Sequence, residues 1–83
     1  MMVDFVAVRT QILDWLAETL RVPAAEIDLT KPLTEIGLDS LDAVHMLATI
    51  ESLIRQELPE DVIRRVTCLN DIFDMMRARL AAA

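Results

Sequence analysis

Cysteine, glycine and aromatic residues are nearly missing from this 83-residue chain, and each shortage excludes something. Cys68 is the only cysteine, so the chain has no internal disulfide and no second thiol for a metal cluster. Two phenylalanines and one tryptophan are the only aromatics, while 54% of the residues are hydrophobic. The core must therefore be aliphatic, adaptable rather than stiffened by rings. Such a core is either an ordinary helical interior or one that parts to admit an aliphatic guest. Basic residues are also few, 8 against 14 acidic ones, for a formal charge of −6. An acidic surface is repelled by nucleic acid and by anionic membranes, and it favours basic protein partners. No apolar run is long enough to span a bilayer. The start, Met1-Met2-Val3-Asp4, lacks the basic residues of a signal peptide. With a lone thiol, this makes the reducing cytoplasm the expected compartment. The length suits one domain, residues 1–83, with a modest core.

What is present is helical periodicity. Asp4 is a suitable N-cap for a first helix running to about Leu20, with Phe5, Val8, Ile12, Leu16 and Leu20 on one stripe and Trp15 at its edge. Pro23 forces the chain out of the helix at Arg21-Val22. A long connection to about Asp39 follows, punctuated by Asp28, Thr30, Pro32 and Gly37. Val22, Ile27, Leu29, Leu33 and Ile36 are spaced through it, which predicts a loop laid across the bundle and anchored there. A second helix is predicted from Ser40 to about Leu58, stopped by Pro59. Glu60 to Arg65 reads as a short helical turn. The last helix starts at Thr67 or Cys68, carries Leu69, Ile72, Phe73, Met76 and Leu80, and frays at Ala81-Ala82-Ala83. The expected fold is all-α, a small bundle of three main helices and one short one, with no strand pattern.

On a helical wheel the second helix has two apolar faces. Ala43, Met46, Leu47, Ile50, Leu53 and Ile54 form the core stripe. Leu41, Val44 and Ala48 form another strip beside Ser40 and Glu51, bordered by His45, Ser52 and Arg55. That strip is either a partner surface or a face covered by the long loop. Asp39-Ser40-Leu41-Asp42 is good helix-start chemistry, since an oxygen of Asp39 or of Ser40 can accept from the first-turn amides. Asp42 complements the helix dipole. His45, five positions from Ser40, points too far round the helix for a Ser–His catalytic pair. No cluster of titratable residues supports an independent enzyme. A phosphodiester on Ser40 would sit at a helix N-terminus, which favours an anion.

The segment Gly37-Leu38-Asp39-Ser40-Leu41 closely resembles the attachment motif of the acyl carrier proteins, and the order of elements resembles that family over nearly the whole chain. The resemblance implies a bundle in which Ser40, flanked by Asp39 and Leu41, carries a covalent 4′-phosphopantetheine arm. In the family a phosphopantetheinyl transferase moves this arm from coenzyme A with the help of magnesium. The resemblance also implies a carrier rather than an enzyme, a phosphoprotein presenting acyl thioesters to the ligases, synthases or acyltransferases of fatty acid, polyketide or specialised lipid biosynthesis. Its partner face maps onto Leu41, Asp42, Val44, His45, Ala48, Glu51 and Arg55, and a stand-alone monomer is expected. The chain departs from the fatty acid carriers at His45 and Ser52, where acidic residues would stand, and in the nearby Arg55, Arg64 and Arg65. Gly-Leu-Asp before the serine is more common among polyketide and specialised carriers, which favours a dedicated pathway. Two alternatives are a peptidyl or aminoacyl carrier on the same fold, and a helical interaction module in which Ser40 is only a cap.

Overall fold

A computed structural model of the chain describes residues 3–59 and 61–82. Its elements are α1 (Phe5–Leu20), α2 (Ser40–Ile54), a short α3 (Val62–Arg65) and α4 (Leu69–Ala82), with 3₁₀ turns at Ala24–Glu26 and Leu33–Ile36 in the long connection. No described segment is a strand. The Cα radius of gyration is 12.0 Å, close to the roughly 12 Å of a compact single-core chain of this length.

The core is aliphatic as composition demands. Val8, Ile12 and Leu16 of α1 meet Met46, Leu47, Ile50 and Ile54 of α2 and Leu69, Ile72, Phe73 and Met76 of α4. Phe5, Trp15, Leu20, Leu53 and Leu80 pack at the margin. No buried polar or charged residue is found among the described residues, so no desolvated group needs compensation inside. Two arginines reach across the α1–α4 contact onto aromatic rings. Arg9 lies 5.2 Å from the Phe73 centroid, and Arg77 lies 4.7 Å from that of Phe5.

The long loop is anchored as expected. Ile27 is buried, and Leu29, Leu33 and Ile36 pack against the core, but Val22 is exposed. Backbone bonds add to this anchoring. Leu33 N–H donates to Thr67 O at 2.9 Å, and Asn70 N–H donates to Leu29 O at 3.1 Å, so the loop is tied to the start of α4 through a single antiparallel bridge between Pro32 and Cys68.

Three boundaries differ from expectation. α2 ends at Ile54, not near Leu58, because Arg55 turns left-handed (φ 56°, ψ 39°) and its N–H returns to Glu51 O. The same device ends α1, where Arg21 is left-handed (φ 57°, ψ 44°) and Val22 N–H bonds Ala17 O at 3.2 Å. α4 starts at Leu69 because Asp71 reaches back to take the Thr67 and Cys68 amides at 2.9 and 3.4 Å. At its other end α4 continues through Ala81 and Ala82. Glu60 and Ala83, included in the expected short helix and the fraying tail, lie outside the described residues.

Candidate functional site

The site is a turn feeding a helix. Gly37 has φ 96°, a left-handed geometry that an L side chain adopts at a cost. A Cβ there would meet only Leu20 Cδ2 at an ordinary 3.5 Å, so the backbone conformation rather than space requires glycine. Gly37 closes the 3₁₀ turn, its N–H bonding Leu33 O, and the next residue, Leu38, drops into the core at 2% exposure. No periodicity in the sequence marks Leu38 as a core residue, because neither a helical nor a strand repeat applies in a turn. Its burial pins the turn from below and leaves Asp39 and Ser40 at the surface.

Asp39 takes the N-cap. Its Oδ1 accepts from Asp42 N–H at 2.8 Å, and Asp42 Oδ2 accepts in return from Asp39 N–H at 3.5 Å, which makes a reciprocal capping box. Of the two candidate caps, Asp39 is therefore the one used. Ser40 is exposed, and its hydroxyl makes no hydrogen bond among the described residues. A helix-start serine released from capping has its oxygen available for chemistry.

Beside Ser40 lies a shallow groove of about 310 Å³, running from Leu33 and Leu38 past Ala43 to Val66 and Thr67. These residues suit a phosphopantetheine arm: an exposed primary alcohol for the phosphodiester, a helix start for its charge, and a partly apolar groove beside it. The carboxylates of Asp39 and Asp42 oppose the phosphate charge, but both stand in contact with solvent.

The second apolar strip of α2 is not covered by the loop. Leu41 is 63% and Val44 51% exposed, and Ala48 is exposed beside them. His45 and Arg55 are exposed as well, and Asp42 is half-buried. Glu51 differs from these. It is half-buried, and its Oε2 accepts from Leu58 N–H at 2.8 Å. This bond spans seven residues, beyond any local pattern, so the sequence gives no sign of it.

A family model described as a phosphopantetheine attachment site matches residues 10–76, well over half of the chain. The chain belongs to the phosphopantetheine-attachment family of acyl carrier domains. Relatives agree along nearly their whole lengths. An acyl carrier protein of Syntrophobacter fumaroxidans is 28% identical over 85 residues, 95% of this chain and 99% of that protein. One from Amoebophilus asiaticus is 27% identical over 75 residues, covering 89% and 94%. One from Clostridium acetobutylicum is 26% identical over 69 residues, covering 82% and 90%. The cofactor of this carrier domain is covalently attached 4′-phosphopantetheine, and its all-α bundle is the acyl-carrier fold. No described helix is long and apolar enough to cross a membrane.

Proposed function

We propose that Ser40 carries the phosphopantetheine arm and that the chain is a single, monomeric carrier domain that holds acyl groups for other enzymes and catalyses nothing itself. The observation that carries this reading is the idle, exposed hydroxyl of Ser40 inside a capping box that Asp39 and Asp42 complete without it. When bound, the arm supplies a terminal thiol on which acyl groups are held as activated thioesters. The chain's own residues do the rest. Ser40 Oγ supplies the oxygen of the phosphodiester. Asp39 keeps α2 capped while Ser40 is loaded. Leu38 holds the junction still, so the oxygen is presented in one place.

Leu41, Val44 and Ala48, with Asp42, His45, Glu51 and Arg55 around them, form the face on which we place the partner enzymes: the phosphopantetheinyl transferase, and the ligase, synthase or acyltransferase of the pathway. An apolar strip with charge at its edges suits contacts that form quickly and separate again. Tethering the acyl group to a docked carrier raises its effective concentration at each active site. His45, Ser52 and Arg55 make this face less acidic than an all-carboxylate one, which favours a dedicated lipid or polyketide pathway over housekeeping fatty acid synthesis, with the cytoplasm as the place of work. The test is loading with coenzyme A and a phosphopantetheinyl transferase, read by intact mass. The wild type should gain one phosphopantetheinyl group and Ser40→Ala none. An unloaded wild type, or a loaded variant, would refute the reading.

A further inference from the structure

Glu51 stands beside the docking strip, yet its carboxylate is already engaged. Oε2 accepts from Leu58 N–H at 2.8 Å in a half-buried setting. The Glu51 backbone carbonyl accepts from Arg55 N–H and from Gln56 N–H, the latter at 3.3 Å. One residue thus binds three amides of the chain leaving α2. The same exit is held from the far side, where Gln56 Nε2 donates to Arg79 O at 3.4 Å. Leu58 is thereby packed against the core, while Glu57 and Pro59 stay exposed.

Residues 57–59 form one wall of a groove of about 480 Å³, and Val44, Leu47 and Ala48 form the other. The two walls are joined by the Glu51 carboxylate. Glu57 on the rim is exposed and has no ion-pair partner among the described residues. A groove of mixed polarity, apolar along Val44, Leu47, Ala48, Leu58 and Pro59 and with the Glu57 carboxylate at its rim, matches an aliphatic side chain followed by a cation.

We propose that Glu51 is a positioning residue for docking: it fixes residues 57–59 so that the groove takes an aliphatic side chain of the phosphopantetheinyl transferase, while Glu57, not Glu51, meets the transferase's cation. The inference rests on the proposed docking of α2 during loading of Ser40, and it makes Glu51 a builder of that face rather than a charge displayed on it.

Glutamine keeps the acceptor at position 51 and removes the charge, whereas alanine removes both. Two readouts are needed on the intact apo-protein. One is amide hydrogen exchange at Leu58, which needs no transferase. The other is KM and kcat for loading with coenzyme A and the transferase. Glu51→Gln should keep Leu58 protected and raise KM clearly less than Glu51→Ala does. Glu51→Ala should lose the protection and raise KM about tenfold, as loss of one charge-assisted hydrogen bond predicts, with kcat unchanged. Glu57→Gln should raise KM and flatten its salt dependence while leaving Leu58 protected. Equal KM losses in Glu51→Gln and Glu51→Ala, with Leu58 still protected in the glutamine variant, would overturn the proposal in favour of a direct charge contact. Full protection of Leu58 in Glu51→Ala would overturn it as well. A wild type that takes no arm would refute the assignment of Ser40 instead, and Leu58 exchange would still decide whether Glu51 holds the segment.

Discussion

At Asp39 and Ser40, two neighbouring side chains have separated two tasks that either was chemically able to perform. Asp39 satisfies the first-turn amide at Asp42, and Ser40 is left exposed with its hydroxyl unengaged. The two positions should therefore respond differently to truncation. Asp39→Ala should cost about 0.5–2 kcal/mol, the usual range for a lost N-cap, whereas Ser40→Ala should cost well under about 1 kcal/mol. Urea unfolding of both variants checks this, and a Ser40→Ala loss as large as that of Asp39→Ala would return the serine to a structural role. Cys68 matters at this scale for another reason. It is a half-buried free thiol, able to exchange with the disulfide form of coenzyme A to give a mixed disulfide and release one coenzyme A thiol, so loading experiments need a reductant.

At the scale of elements, the helices end by devices that involve no glycine. Asp71 takes the Thr67 amide, and then that of Cys68, and these bonds hold its carboxyl below the ordinary value of 3.8. A lowered folded-state pKa means that the ionised form supports the fold. Its contribution is complete above 3.8 and is lost as pH falls through the lower folded value. Asp71→Ala should therefore be less stable than wild type at neutral pH, and the difference should shrink in acid below 3.8. Asp28, lowered by the Thr30 hydroxyl, titrates in the same direction in both proteins, so the comparison isolates Asp71. Unfolding curves at the two pH values measure it, and a gap that persists unchanged in acid would contradict the account. The start of α1 at Asp4, its stop ahead of Pro23, the apolar stripes and the anchored loop were all legible in the sequence, because caps, prolines and a 3.6-residue period act locally. The ends of α2 and α4 were not. Arg21 and Arg55 adopt a left-handed geometry usually signalled by glycine, and Glu51 and Asp71 bond amides that only the folded chain brings to them. Around the site, the Gly37-to-Leu41 motif exposed Ser40 as the position of interest, but which of Asp39 and Ser40 capped α2, and whether the loop hid Leu41 and Val44, depended on packing.

For the whole molecule, one aliphatic core supports one functional edge. α1, α4 and the inner stripe of α2 bury the apolar residues, and the anchored loop delivers Gly37, Leu38 and Asp39 to the start of α2. What remains outside is an acidic molecule with an apolar strip beside Ser40. Val44, half of whose surface is exposed, contributes to that strip and little to the core. Val44→Arg should therefore raise the KM for transferase loading several-fold, on the order of tenfold, while its unfolding midpoint stays near wild type. A loss of activity that tracks a loss of stability would mean that the strip is structural. Every such expectation depends on where the arm is joined, and the chain offers a clean internal comparison because Ser40 and Ser52 are its only serines. The decisive measurement is fragmentation mapping of the wild-type protein after loading with coenzyme A and transferase under reducing conditions. The account predicts the added phosphopantetheinyl mass on fragments containing Ser40 and on no others; the mass on Ser52 or Cys68, or no added mass at all, would contradict it.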